Sequence, residues 1–378
     1  MAGIYIHFPF CKKKCSYCNF FSIASLKYRQ LYFESLLKEI ELQKDYLENE
    51  LIETVYFGGG TPSLMSDAEI NMIFEKLSKY FKITADAEIT IETNPDNLSF
   101  EYFQKLKNTP INRISIGVQS FIDEELEYLG RIHNAKQSLQ SIEDALNAGF
   151  QNISIDLIYG IPVKQTIPSG WEKNLETIFN YNVPHISAYA LTVEPRTILD
   201  HNIINKKVQP VSEDLFIEQY NFMIEKMKEQ NYIQYEISNF CKKDFFSKHN
   251  TSYWQGKKYL GLGPSAHSFN IASRQWNVAS ITQYSQSLQL NCVPCEKEIL
   301  SIEKKYNEYV LTSLRTMWGC DLNFILSNFG EGYFQLILTE SQKYLESGDL
   351  IIKNNSLFLT ETGKLLADRI TSSLFTSE

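Results

Sequence analysis

The chain has 378 residues, 43% of them hydrophobic and 21% charged, which is enough apolar content for a large core and excludes a disordered, tail-like chain. Lys and Arg total 36 against 45 Asp and Glu, and the net charge of −9 excludes a protein built around a broad nucleic-acid-binding face, leaving a local basic pocket as the most it allows. The 7 cysteines are too sparse and too unevenly placed for a disulfide scaffold, and three of them, Cys11, Cys15 and Cys18, crowd the start of the chain.

The opening Met1-Ala2-Gly3-Ile4-Tyr5-Ile6-His7 has no basic, then apolar, targeting pattern. No run approaches the roughly 18 apolar residues of a spanning helix, so the expectation is a soluble, cytoplasmic chain in a reducing compartment. Strands are predicted over Ile4–Phe8, Thr54–Phe57, Glu88–Glu92, Arg113–Val118, Ile153–Ile158 and Ile186–Leu191. Helices are predicted between them, from Tyr28 to Glu48, after the capping box Ser66-Asp67-Ala68-Glu69, and from Ala135 to Ala148 before Gly149. Alternation of this kind predicts an α/β fold with a parallel sheet. Polar or unusual residues close strand after strand: Gly58–Thr61, Glu92, Gln119, Asp156 and Ala190. That favours a partial (β/α)6 TIM-like barrel, with its residues meeting at one mouth, over a doubly wound sheet. The stretch from Val193 to Pro210 reads as a long surface connection. Beyond about residue 291 helical periodicity over Glu303–Thr316 and Tyr333–Leu345 precedes a hairpin turning at Lys353–Ser356 and a last helix from Glu361. This predicts a barrel unit over 1–290 and a small α+β, winged-helix-like unit over 291–378. Without a basic stripe, that unit is expected to pack or dock partners and not to bind nucleic acid.

Cys11-x3-Cys15-x2-Cys18 follows the first strand directly, so it lies on a loop at the barrel mouth. Three thiolates at this spacing suit three irons of a [4Fe–4S] cluster, leaving the fourth iron open to a small molecule. A zinc site, with His7 as the near fourth ligand, a redox pair, or three buried thiols are the other readings. Lys12, Lys13 and Lys14 favour thiolates. Cys292-Val293-Pro294-Cys295, Cys241 and Cys320 read as incidental thiols.

The motif Cys11-x3-Cys15-x-Tyr17-Cys18 resembles the signature of radical S-adenosylmethionine (SAM) proteins. Tyr5–Cys11, Phe57-Gly58-Gly59-Gly60-Thr61-Pro62-Ser63, Glu92-Thr93-Asn94-Pro95, Gly117–Phe121 and Asp156–Pro162 together resemble the oxygen-independent coproporphyrinogen III oxidase family over nearly the whole chain. The resemblance implies a radical SAM barrel, a [4Fe–4S] cluster on Cys11, Cys15 and Cys18, and SAM at Tyr5, Gly59, Gly60, Thr61, Glu92, Gln119, Arg131, Asp156 and Ala190, with Tyr17 beside the adenine. Chemically, the glycine run admits close backbone approach, Glu92 and Asp156 suit ammonium or ribose groups, and Arg131 suits a carboxylate.

Two features separate this chain from the oxidases in that family. They carry a fourth Cys where this sequence has Phe20, and a longer arm where only ten residues precede Cys11. The pattern is similar to the HemW branch, described as heme chaperones. His249-Asn250-Thr251-Ser252-Tyr253-Trp254 matches its H-N-x-x-Y-W motif and implies heme binding at His249, Asn250, Tyr253 and Trp254, with His249 as the axial ligand and His267 as its rival. His133, His185 and His201 read as structural. The branch implies transfer of heme to acceptor proteins of the respiratory chain, a peripheral place at the membrane, and a homodimer formed through the cluster-bearing end. The alternative is a coproporphyrinogen III dehydrogenase.

Overall fold

Six strands run parallel in chain order: β1 (Ala2–Phe8), β2 (Ile52–Gly59), β3 (Ile83–Thr93), β4 (Arg113–Gln119), β5 (Ile153–Tyr159) and β6 (His185–Ala190). The computed structural model describes residues 1–163, 169–210 and 212–376. Each predicted strand is present, one to six residues longer or shifted by one residue. β1, β4 and β5 are buried almost end to end, as expected of parallel strands covered on both faces. Helices α1 (Arg29–Leu42), α2 (Asp67–Tyr80), α3 (Phe100–Leu106), α4 (Asp123–Tyr128), α5 (Ala135–Asn147) and α6 (Ser169–Asn180) alternate with them. The Ser66 box caps α2 as read, with Glu69 returning the bond.

After β6 come α7 (Ile198–Ile204), α8 (Glu213–Glu229), β7 (Ile233–Gln234), β8 (Asn239–Cys241), α9 (Lys248–Trp254), β9 (Tyr259–Leu262), β10 (His267–Phe269), β11 (Ser273–Asn277), α10 (Ile281–Gln289) and β12 (Cys295–Ile299). The sheet has twelve strands in the order β12-β11-β10-β9-β1-β2-β3-β4-β5-β6-β8-β7. β9 runs parallel to β1, while β10, β11 and β12 on one side and β8 and β7 on the other are antiparallel additions. The barrel is therefore partial and open, and its free flanks carry the later strands.

The C-terminal part holds α11 (Ile302–Leu314), β13 (Cys320–Asp321), α12 (Leu322–Phe329), α13 (Glu331–Ser347), β14 (Leu350–Lys353), β15 (Ser356–Leu359), α14 (Glu361–Leu365) and α15 (Ala367–Ser373). It has its own core of Tyr306, Val310, Ile325, Ile337, Leu357 and Ile370. The hairpin turns on Asn354 and Asn355, both at positive φ (48° and 63°), the conformation a tight two-residue hairpin requires.

Two expectations need correction. α1 stops at Leu42, not Glu48, because the chain then turns back, with Glu48 and Asn49 at positive φ, and buries Leu47. The Val193–Pro210 connection contains α7, which Thr197 caps by accepting from the Asp200 N–H and which buries Leu199. Around the expected 290/291 boundary, β12 pairs with β11, and the second core starts at Tyr306. No helix among the described residues is long and apolar enough to cross a membrane.

Candidate functional site

Beyond Phe8 the chain leaves the sheet as a loop that closes on itself. The Cys11 N–H donates to the Ile23 carbonyl (3.0 Å) and the Ile23 N–H to that of Pro9 (2.8 Å). Ser16 then clamps the loop from outside. Its N–H and hydroxyl donate to the carbonyls of Leu129 (3.0 Å) and Tyr128 (3.2 Å), and its own carbonyl accepts from the Leu199 N–H of α7 (2.8 Å). Cys11, Cys15 and Cys18 are free, half-buried thiols on the wall of a single cavity. Among the described residues no three His, Cys, Asp or Glu side chains converge on one ion position. The Arg131 guanidinium donates to Cys15 Sγ (3.3 Å). Burial pushes the Cys11 and Cys18 thiols up; Thr61 opposes this at Cys11, and the Phe20 N–H and Lys14 oppose it at Cys18. Lys12, by contrast, is engaged with Asp96 (3.0 Å). An open set of three thiols beside a guanidinium fits a [4Fe–4S] cluster.

The cavity at the cysteines measures about 560 Å³. Tyr17, Gly59, Gly60, Thr61, Glu92, Gln119, Arg131, Asp156 and Ala190 all line it, so the strand ends do meet at one mouth. Tyr5 does not: its ring stacks on Tyr56 (6.1 Å), its hydroxyl meets His7 Nδ1 (3.1 Å), and it faces a second cavity. Glu92 is partly buried and accepts from the Tyr56 hydroxyl (2.9 Å) and the Gly59 N–H (3.1 Å). Burial and the nearby Asp156 carboxylate raise its pKa to about 7. Asp156, held by the Ser115 hydroxyl (3.0 Å), is raised by burial to about 6. Among the described residues neither carboxyl forms a salt bridge, so this donor set fits a cationic ligand such as the ammonium end of SAM. Gln119 sits at φ 67°, a conformation that costs a non-glycine residue about 1 kcal/mol or more, on the cavity wall where β4 ends.

Two expectations about individual residues change. The glycine run serves the protein's own backbone. A Cβ on Gly60 would lie 2.6 Å from the Phe10 carbonyl oxygen, and one on Gly59 (φ 110°) would lie 2.6 Å from the His7 ring. The N–H groups of Gly60 and Thr61 are likewise engaged by the Phe8 and Phe10 carbonyls. Arg131 does not present a free fork, because Nη2 is held by Asn94 Oδ1 (2.8 Å) and the Gly117 carbonyl (2.7 Å). Sequence reasoning missed Arg113. It is 2% exposed on the cavity wall and lies 3.8 Å from Glu88, with Nε and Nη2 making no hydrogen bond. An arginine opening an apolar strand was the available signal.

A second cavity of about 1040 Å³ adjoins the first, and Asn19, Phe20 and Asn250 border both. Its walls are mainly aromatic: Tyr253, Trp254, Tyr259 and Phe269 on one side, Tyr309, Phe324 and Phe329 from α11 and α12 on the other. The C-terminal unit thus completes a cavity. Asn250, Tyr253 and Trp254 of the H-N-x-x-Y-W motif line it and His249 does not. His249 is 1% exposed, with Nδ1 against Thr54 Oγ1 (2.7 Å), Nε2 against the Tyr253 hydroxyl (2.8 Å), and its ring stacked on Tyr56 (4.9 Å). Burial lowers its pKa to about 3, so it is neutral. The expected axial ligand therefore has both nitrogens occupied. His267 is exposed on the cavity wall and stacks on Trp276 (6.1 Å). His185 is bound through both nitrogens to Ser154 and Tyr235, and His133 and His201 each make a local bond. Cys241 and Cys320 are buried, and Cys292 and Cys295 are free thiols.

Comparison with known proteins agrees with this geometry. Residues 5–165 match the Radical SAM superfamily model. The chain is 32% identical to "Heme chaperone HemW" of Bacillus subtilis over 98% of both chains, and 33% identical to "Heme chaperone HemW" of Lactococcus lactis over 83% of this chain and 82% of that one. Among solved structures it superposes on coproporphyrinogen III oxidase (HemN) from Escherichia coli with a TM-score of 0.85 at 22% identity, covering 99% of this chain and 90% of that one, a likeness of fold. From the cysteine loop, the partial barrel and these relatives together, the chain belongs to the HemW family of the radical SAM superfamily.

Proposed function

We propose that this protein is a heme chaperone. It binds heme in the aromatic cavity, carries a [4Fe–4S] cluster on Cys11, Cys15 and Cys18 with SAM in the adjoining polar cavity, and passes heme to acceptor proteins. The observation that carries this reading is the pairing of two cavities across Phe20. One is polar, with three thiols and two raised carboxyls; the other is aromatic and, at about 1040 Å³, at the upper end of the roughly 300–1,000 Å³ typical of small-molecule sites. The names of its relatives support the same reading.

Within it, Glu92 and Asp156 pair with the cationic and hydroxyl groups of SAM, Tyr17 packs beside the adenine, and Gln119 and Thr61 contribute hydrogen bonds. Arg131 orients the Cys15 sulfur through its guanidinium contact (3.3 Å). A bound cluster would supply an electron to the sulfonium of SAM. Phe20, 68% exposed at the rim of both cavities, closes the loop where the oxidases have a further Cys. Acceptors of the respiratory chain, a peripheral place at the cytoplasmic membrane surface and a homodimer through the cluster-bearing end complete the proposal.

The test is anaerobic reconstitution followed by two assays on one sample, heme titration by absorbance and conversion of coproporphyrinogen with SAM and a reductant. Stoichiometric heme binding without conversion is expected. Turnover without stable heme binding would make the protein an oxidase and sink the chaperone reading.

A further inference from the structure

We propose that the axial ligand of heme in the second cavity is His267, and that His249 of the H-N-x-x-Y-W motif positions the cavity wall instead. This rests on reading that cavity as a heme site. An axial imidazole must aim a ring nitrogen with a free lone pair at the cavity. Among the described residues, His7 and His267 are the histidines that line it. His7 is engaged at both nitrogens, by the Tyr5 hydroxyl (3.1 Å) and the Phe21 carbonyl (2.9 Å). His249 stands behind Tyr253 with both nitrogens engaged. Among the described residues, the His267 ring has no hydrogen-bond partner.

The backbone that carries His267 is held tightly, as a metal ligand's platform should be. A Cβ on Gly261 would lie 2.0 Å from the His267 carbonyl oxygen, so only glycine lets β9 and β10 meet there. Trp276, across the β10–β11 pair, gives the imidazole a flat support. Behind the turn, buried Glu39 accepts from the Gly263 N–H (2.7 Å), Asn277 Nδ2 (2.6 Å) and the Tyr284 hydroxyl (2.5 Å). Heme also brings two propionate carboxylates. Of the cations on the cavity wall, Arg274 is paired with Glu308 (3.0 Å), whereas the Lys305 amine forms no ion pair among the described residues. Lys305 therefore receives a propionate.

His249 acts through its neighbours. It fixes the Tyr253 hydroxyl at the heme wall and stacks on Tyr56, whose hydroxyl holds Glu92 on the SAM side. It is a panel between the two cavities.

The experiment titrates the anaerobically reconstituted full-length protein with heme and reads the absorption and electron paramagnetic resonance spectra of the complex. Expected are a histidine-ligated signature in the wild type, its loss in His267→Ala with restoration by added imidazole, and its retention in His249→Gln. Lys305→Gln weakens binding without changing the spectrum; unchanged affinity removes the propionate assignment. An unaltered signature in His267→Ala, with heme still bound, overturns the ligand assignment and leaves the chaperone reading standing. Loss of the signature in His249→Gln, restored by imidazole, overturns it in favour of the motif. If the wild type binds no heme, the functional reading fails first and the ligand assignment with it.

Discussion

Glu92→Gln separates the ligand-binding role of the first cavity from its stability. The carboxyl lies on the cavity wall with Asp156 and has no salt bridge among the described residues, and desolvation followed by the Asp156 charge puts its pKa at about 7 against an ordinary 4.5. A rise of that size corresponds to about 3 kcal/mol between the two protonation states, an upper figure because Asp156 titrates with it. The sign follows from the raised value. The contribution of Glu92 to stability is full below pH about 4.5 and is lost as pH rises through about 7, so at pH 8 the ligand-free protein holds a charged carboxylate that it disfavours. Glutamine keeps the acceptor for the Gly59 N–H and lets the Tyr56 hydroxyl turn to accept, without a charge. Urea unfolding of wild type and variant at pH 5 and pH 8, in the absence of SAM, measures this. The variant should be close to wild type at pH 5 and more stable by about 2–3 kcal/mol at pH 8. SAM binding, followed by calorimetry, should strengthen with pH in the wild type and be weak and pH-independent in the variant. A variant less stable than wild type at pH 8, or one that keeps the wild-type pH dependence of SAM binding, would refute the reasoning.

Three further outcomes are expected. Cys15→Ala should leave iron and acid-labile sulfide well below one four-iron cluster per chain after anaerobic reconstitution; a full cluster in that variant would remove the loop's assigned role. Gly261→Ala places a methyl 2.0 Å from the His267 carbonyl oxygen and should cost about 3 kcal/mol or more in thermal or urea unfolding, since backbone has to move. Glu39→Ala removes the shared acceptor of Gly263, Asn277 and Tyr284, leaving buried donors unpaired at about 1–3 kcal/mol each, and should lower stability far more than Glu39→Gln, whose amide still accepts. Equal losses in the two Glu39 variants would show that the carboxyl's bonds do not hold the turn.

Much of the fold was legible in local pattern. Parallel strands such as β4 and β5 are near-continuous apolar runs, and capping boxes such as Ser66–Glu69 mark helix starts without any knowledge of neighbours. The short helix α7 escaped because its burial comes from the cysteine loop packed on it, a contact between residues 16 and 199 that no local window contains. Arg113 escaped for a related reason, since an arginine in a strand reads as an edge until the cavity it faces is known.

The motifs carried a resemblance to radical SAM proteins, while the sequence by itself determined that thiols cluster on a loop after the first strand and that strand ends carry the polar residues. These are properties of spacing and periodicity, which the backbone's own geometry enforces. Tertiary structure alone decided which side chains face which space. It turned Tyr5 away from the first cavity, engaged Arg131 with Cys15, and closed a second cavity with helices more than 40 residues beyond the motif that names it. It also separated two histidines that the sequence offered as an axial ligand and its rival. His249 lies where hydrogen bonds use both nitrogens, and His267 lies where among the described residues none does, because the burial of each is set by elements remote in the chain.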